Sequence, residues 1–462
     1  MDATRVMYKI ARINEVGFVL LALAMFAYSC RQKQSPEFVD TYHEISIKLD
    51  STLRQLHSDG ILNGEILITQ GFRTIIHDYY GYSNFDSLTE FNAESIFEVA
   101  SITKPITAYA IATLVSEHKI NYTDTVAKLL PRFPYENITI WHLLTHTSGL
   151  PDYLQVLYPV WDYNMVADNN DLYQILINSD HELLSNPGLN WNYSNIGYTL
   201  LAMIIEKISG YTYPEYCSAN IFRPFGMDHT VIPKSSETSA MKNYVNDYIF
   251  SYGKATYMDV AAFPSFDNAT FTGDMYGAQG ICTNAGDLLR FLVGIHFRSM
   301  LSADIQEVYL KPQGIPTPMS DDFTPGWFYE KDSLLGDSYF YVGGFSGYRS
   351  LLQYYDGVDL SVICLSNTST TPIWELKKLI KNILAGTEAE YPKLSYVREI
   401  SYHLNCLDNT GNSDWEIPII DTSKYVFRQY EMDELISDLE SAHKDDLAKA
   451  AKYYISQVFP SK

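Results

Sequence analysis

A helix that is apolar on nearly every side belongs inside a protein. Residues 97–115, "FEVASITKPITAYAIATLV", read as such a helix from Ser101 onward, with apolar side chains on every face. The chain can supply the surrounding core. Its 462 residues, 46% hydrophobic and 19% charged, suit one large domain or two to three units. One residue resists burial: Lys104, in the first turn, three positions after Ser101. At that spacing the two side chains share a face a few ångströms apart. The helix N-terminus and desolvation both lower a lysine's pKa, so a neutral amine is expected beside the Ser101 hydroxyl, and backbone N–H groups there can face a developing oxyanion. The competing reading makes Ser101 a simple N-cap and Lys104 a solvated residue.

The flanks indicate what surrounds this helix. "FVDTYHEISIKLDSTLRQLHSDG" reads as an amphipathic helix ending near Gly60, and "GEILITQGFRTIIHDYYGYSN" as an antiparallel hairpin. From Ser101 to about residue 290 helical periods and loops dominate, as in "IGYTLLAMIIEKISG", closed by Gly210. Strand patterns return in "SYFYVGG", "YRSLLQYY" and "LSVICLSN", followed by the helix "PIWELKKLIKNIL". Strands at both ends of a helical middle predict an α/β (α+β) fold, an antiparallel sheet flanked by helices, with a helical subdomain at about 105–285 inserted into it. The main domain is expected over 37–385 and a helical extension over 386–462. In the latter Leu435, Leu439 and Ala442 share one face, and Leu447, Ala451, Tyr454 and Val458 another. These faces are expected to pack on the main domain or on a protein partner.

At the N-terminus Arg5, Lys9 and Arg12 precede the apolar run "VGFVLLALAMFA" and then "YSC", ending at Cys30. Twelve apolar residues suit a secretion signal better than a membrane span. A small residue directly before Cys30 resembles a bacterial lipoprotein processing site, with residues 1–30 as the signal and 31–36 as a polar tether. The expectation is an exported protein held on a membrane by a lipid on Cys30, facing the periplasm or cell surface. Cleavage without lipid and an uncleaved anchor are the alternatives. A net charge of −22 repels phosphate backbones and argues against a nucleic-acid partner. Cys217, Cys282, Cys364 and Cys406 are scattered without a CxxC pair, so they read as buried thiols rather than a zinc or disulfide framework. His142 and His146 form an HxxxH pair, but a zinc-protease helix needs Glu where Leu143 stands; both read as structural. "GGFSGY" around Ser346 misses the GxSxG pattern because Tyr348 replaces the last Gly. No metal or cofactor is expected.

Two motifs occur twice. "SAMK", Ser239–Lys242, repeats the Ser-x-x-Lys spacing in a polar stretch with no apolar helix behind it. Tyr-Ser-Asn occurs at 82–84, beyond the hairpin, and at 193–195, in a loop before a buried helix, where catalytic groups tend to sit. A Tyr193 phenol there could pass a proton between Ser101 and a leaving group, and the Asn195 amide could hold Lys104 or a substrate carbonyl.

With "FEVASITKPIT", "LLTHTSGLPDY", "WNYSNIGYTLLAMIIEKISGYTYPEYCSANIFRPFGM", "GAQGICTNAGDLLRFL" and "GGFSGYRS" in that order, the chain from about Gly64 to Asn382 resembles the serine β-lactamase and penicillin-binding-protein-like family, in its class C β-lactamase, D-alanyl-D-alanine carboxypeptidase and esterase branch. The resemblance implies a hydrolase working through an acyl-enzyme on a peptide, amide or ester, without a metal. Ser101 would be the acylated nucleophile, Lys104 its activating partner, Tyr193 the shared acid and base, Asn195 the amide of the second motif, and the N–H groups of Ser101 and Gly344 the oxyanion hole. A catalytically silent relative binding cell-wall fragments or a protein is the alternative. The third motif departs from the pattern: relatives usually carry Lys or His two residues before Gly343–Gly344, and Tyr341 stands there. Tyr341 and Gly343 are expected to share the face lining the cleft, and Arg349 to sit on a solvated strand face. Without a fixed cation, penicillins and peptides ending in free D-alanine should be poor substrates, and neutral esters or amides better ones.

Overall fold

The computed structural model describes residues 36–179, 181–262, 272–410 and 422–458. The basic and apolar N-terminal segment with Cys30 lies outside them. The chain divides into two units, 1–48 and 49–462. Of the first, residues 36–48 are described and form the start of helix α1 (Pro36–Ser58). No helix among the described residues is long and apolar enough to cross a membrane.

In the second unit the two strand-rich regions of the sequence meet in one sheet. The hairpin β1 (Gly64–Gln70) and β2 (Arg73–Tyr80) joins β3 (Asp322–Thr324), β4 (Trp327–Glu330), β5 (Ser338–Phe345), β6 (Tyr348–Tyr355) and β7 (Leu360–Ser366). The seven strands run in the order β2-β1-β7-β6-β5-β4-β3, and every pair is antiparallel. The long-range seam is β1 on β7, with Leu67 opposite Ile363 and Gly64 opposite Ser366. All seven residues of β7 are buried, as a strand covered on both faces requires. Adjacent residues of β5 identify the two covers. Tyr339 packs on His296 of helix α5 (Ala285–Phe297), and Phe340 on Trp374 of α6 (Ile373–Leu384). Successive strand side chains point to opposite faces, so α5 and α6 lie on opposite sides.

Between the hairpin and the later strands run helices α2 (Thr103–Ser116), α3 (Ile140–Leu144) and α4 (Asn195–Ser209). α2 is buried from Thr103 through Val115, which its composition dictates. Its hydroxyls are satisfied within the core: Thr107 Oγ1 donates to the Gly277 carbonyl (2.7 Å) and Thr113 Oγ1 to that of Tyr109 (2.9 Å). Gly210 ends α4 in the left-handed conformation at φ +77°.

The C-terminal residues fold into α7 (Tyr396–Thr410), α8 (Gln429–Ser441) and α9 (Asp445–Val458). Val397, Ile400, Leu435, Leu439, Ala451 and Tyr454 form a core of their own with Phe250 and Tyr252 of the hairpin Tyr248–Ser251/Thr256–Asp259. α7 carries a helical period, with Tyr396, Val397, Ile400 and Leu404 on one face, and that face is the one buried in this core.

Candidate active site

The nucleophile candidate is placed by a close approach of two segments. Ser101 lies on a 3₁₀ turn, Ala100–Ile102, directly before α2. The N-cap position of α2 belongs to Ile102, and no side chain caps the helix, so Ser101 is not its cap. Ala100 adopts φ +50°, a left-handed backbone that a non-glycine residue reaches at a cost of about 1–2 kcal/mol. The turn lies against β5. Ser350 Oγ donates to the Val99 carbonyl (2.9 Å), and a β-carbon at position 343 would overlap both of those groups. Gly343 is therefore what lets β5 approach the turn that carries Ser101. Gly344, its neighbour, is exposed.

Two polar side chains converge on this turn. Lys104 is 0% exposed; its Nζ lies 3.0 Å from Ser101 Oγ and donates to the Ala278 carbonyl (2.8 Å). Tyr193 brings its hydroxyl to 2.8 Å from the same Oγ, and Lys104 Nζ lies 4.9 Å from the Tyr193 ring centre. Burial pushes the amine's pKa down to about 7, against the opposing pull of the Asp152 carboxylate. Burial raises the phenol of Tyr193, with Asp152 adding to it and the hydrogen bonds to Ser101 and Tyr341 opposing. One group is thus poised to accept a proton and the other to hold one, within hydrogen-bond reach of one hydroxyl.

Asn195 does not hold Lys104. As the first residue of α4 it gives its amide to both oxygens of Asp152, at 3.1 and 2.9 Å. Asp152 caps the short helix Tyr153–Leu157 and also accepts from the Tyr153 N–H (2.6 Å). Burial lifts its carboxyl above the ordinary value, while Asn195, Tyr153 and Lys104 pull it back. Sequence reasoning passed over Asp152; the one available signal was its capping box with Gln155.

Two further expectations are corrected. Tyr341 does not line an open cleft: it is 0% exposed, behind Tyr193, with its hydroxyl 3.5 Å from His146 Nε2 and its ring 5.0 Å from that of Phe328. The strand alternation holds, since Tyr341 and Gly343 share a face, but aromatic packing closes that face over position 341. His146 belongs to this cluster too. α3 stops at Leu144, and His146 adopts φ +56°, which turns its ring inward onto Tyr193, 4.5 Å between centres. Arg349 is half-buried rather than on an open solvated face. It folds its guanidinium onto the carbonyls of Ser346 (2.9 Å) and Tyr348 (2.7 Å), beside Gly344. Its strand position faces away from Ser101, because Gly344, its cross-strand partner, alternates with Gly343. Among the described residues no group of His, Cys, Asp and Glu is arranged to hold a metal ion.

The model of the Beta-lactamase family matches residues 49–381. Penicillin-binding protein 4* of Bacillus subtilis strain 168 is 30% identical over 348 residues, covering 75% of this chain and 76% of that protein. Among solved structures, the octameric penicillin-binding protein homologue from Pyrococcus abyssi is 24% identical, with a TM-score of 0.65 over 74% of this chain and 78% of that one. A D-stereospecific amidohydrolase from Streptomyces sp. is 22% identical, with a TM-score of 0.61 over 75% of this chain and 99% of that one.

Proposed function

The chain belongs to the Beta-lactamase family, a serine-hydrolase-like family, and within it we propose that the protein is a serine hydrolase that forms an acyl-enzyme on Ser101 and favours neutral esters or amides. The observation that carries the reading is a buried amine at 3.0 Å from a serine hydroxyl, in surroundings that bring its pKa to about 7. Neutral Lys104 takes the Ser101 proton as Oγ attacks the substrate carbonyl carbon. The carbonyl oxygen becomes an oxyanion, held by the N–H groups of Ser101 and Gly344. On collapse the bond to the leaving group breaks, and Tyr193 gives that group its hydroxyl proton. Protonated Lys104 resupplies Tyr193, and water then releases the acyl group along the reverse route. Asn195 keeps Asp152 in place, and that carboxylate steadies the transient ammonium of Lys104.

The preference for neutral substrates follows from charge. Tyr341, in the place where relatives carry a cation, is buried, and Arg349 is committed to carbonyls on the other face. Loss of one charge-assisted contact to a substrate carboxylate is worth roughly 1.5–3 kcal/mol. Intact-mass spectrometry after incubation with a fluorophosphonate, and separately with penicillin, tests the assignment. The wild type should gain the fluorophosphonate mass and Ser101→Ala should not; labelling that survives the substitution sinks it. A higher kcat/KM for a neutral ester than for a D-alanyl-D-alanine peptide is expected, and the reverse order refutes the preference.

Export and a lipid on Cys30 form a separate part of the proposal. The basic residues and apolar run before Cys30 support it. Cys30→Ser should release the protein from the membrane fraction or block its processing, and unchanged retention and processing would reject lipidation.

A further inference from the structure

On the face of β5 turned away from Ser101, the main domain and the C-terminal helices enclose a cavity of about 780 Å³. Small-molecule sites occupy about 300–1,000 Å³, so this one has room for a ligand. β5 contributes Val342 and Gly344, α6 contributes Trp374, and the C-terminal helices contribute Arg398, Tyr430 and Glu434. Ser101, Lys104, Tyr193 and Asn195 do not line it. Strand alternation gives the reason: Val342 and Gly344 point away from the Gly343 face, which meets the Ser101 turn.

Most charges around the cavity are matched or lie in water. Arg398 gives Nη1 to the Gly60 carbonyl and Nη2 to that of Asp59, both at 2.9 Å. Arg428 pairs with Glu431 at 3.2 Å, and Ser395 Oγ donates to the same carboxylate (2.5 Å). Lys393 and Glu375 are exposed. Arg349 differs. Its Nη1 serves the Ser346 and Tyr348 carbonyls, but Nε and Nη2 have no acceptor among the described residues. Those two nitrogens form the guanidinium edge that fits both oxygens of a carboxylate. Beside it, Ser346 Oγ is buried without a hydrogen-bond partner among the described residues, and both residues line the cavity. An apolar wall of Phe345, Ile373 and Trp374 adjoins them. Half-buried Glu434 is the one acidic group that could oppose an anion inside. Burial, then Asp438 and Glu431, push its carboxyl up to about 7, so it is mostly neutral below that pH.

We propose that this cavity is a second ligand site, which takes a small carboxylate with an apolar or aromatic body. The carboxylate sits on Arg349 Nε and Nη2 with the Ser346 hydroxyl donating to it, and the body lies on Trp374 and Phe345. Hydrolysis of an ester or amide releases an acid of this class, but the site itself does not rest on the Ser101 reading.

The test is calorimetric titration of the full-length protein at about pH 6 with phenylacetate, and with phenethyl alcohol as its uncharged counterpart. Phenylacetate should bind one per chain, and the alcohol roughly tenfold more weakly or worse. Arg349→Gln should weaken phenylacetate roughly tenfold or more, Ser346→Ala roughly threefold or more, and Lys393→Glu at the exposed rim roughly twofold or more. Protein labelled on Ser101 by a fluorophosphonate should bind as tightly as unlabelled protein. Binding lost on labelling places the acid in the reaction cleft and overturns the proposal. So does an affinity that Arg349→Gln leaves unchanged, equal affinity for the alcohol, or no heat at millimolar phenylacetate. Where Arg349→Gln fails to fold, Ser346→Ala and Lys393→Glu decide by the same loss. A protein that takes no label refutes the hydrolase reading and leaves this site to be judged by the three variants.

Discussion

Ser101–Lys104 and Ser239–Lys242 have identical spacing and opposite surroundings. Lys104 has no exposed surface and sits in the first turn of a 14-residue helix buried on every side. Lys242 has a side chain 85% exposed, pairs with Glu94 at 3.5 Å, and follows a helix of four residues. The two Tyr-Ser-Asn copies divide the same way. Tyr82–Asn84 is a short strand paired with Thr89–Glu90, while Tyr193 reaches Ser101 Oγ at 2.8 Å. Water is the difference. An exposed ammonium keeps its hydration and makes a weak surface ion pair; a buried one loses hydration, and its neutral form becomes accessible near neutral pH.

Removing the amine should separate the copies most. Lys104→Ala should lower kcat roughly 10²–10⁴-fold, and Lys242→Ala should leave it unchanged, in steady-state assays with one ester. The wild-type kcat/KM should rise with pH through about 7, since the base must be neutral to act. Glu98, pushed up to about 8 by burial and by Asp247, titrates nearby, so the limb should persist in Glu98→Gln. Stability carries the same signature. The folded pKa of Lys104 lies below its ordinary 10.5, so the unfolded chain binds more protons between the two values and wild-type stability rises with pH across that window. Lys104→Met should therefore gain most over wild type at about pH 6 and lose that gain toward about pH 10. The Lys242→Met difference should stay flat in the same denaturation series.

The tyrosines give the next contrast. Tyr193→Phe should lower kcat roughly 10²–10³-fold and Tyr82→Phe less than about twofold, and combining Tyr193→Phe with Lys104→Ala should cost little more than either alone. The adjacent glycines sharpen the role of backbone approach. Gly343→Ala should destabilise the fold by roughly 1–3 kcal/mol, and Gly344→Ala by less than about 0.5 kcal/mol, both read from denaturant midpoints. The smallest effect is expected at Asp152. Its charge raises the pKa of Lys104, so Asp152→Asn should move the acid limb of kcat/KM to lower pH, by roughly half a unit to one unit. A shift to higher pH would contradict the coupling.

Much of this was legible in local pattern. The first hairpin, the three late strands, α4 with its Gly210 stop, and α6 all appear where alternation and helical period place them. The all-apolar helix after Ser101 marked Lys104 as out of place, and the Ser101, Lys104 and Tyr193 groups meet at 2.8–3.0 Å. Other features had no local signal. The amide of Asn195 goes to Asp152, 43 residues away in the chain. His146 owes its inward ring to a left-handed φ that "HTSG" does not announce. Tyr341 obeyed the strand alternation and still lost the cleft, because Phe328 and His146 cover it.

Periodicity, spacing and turn chemistry are properties of neighbouring residues, and from them the sequence by itself determined the antiparallel sheet with helices, the buried helix and the pairing of Ser101 with Lys104. Solvation and polar partners are properties of whatever surrounds a group, and that comes from segments far apart in the chain. Only the tertiary structure decided that Lys104 is dry, that Lys242 is wet, and that Tyr341 looks inward to His146 and Tyr193. The reason is physical: the pKa of an amine and the partner of a phenol are set by the atoms and water within a few ångströms of them, and chain spacing does not specify those.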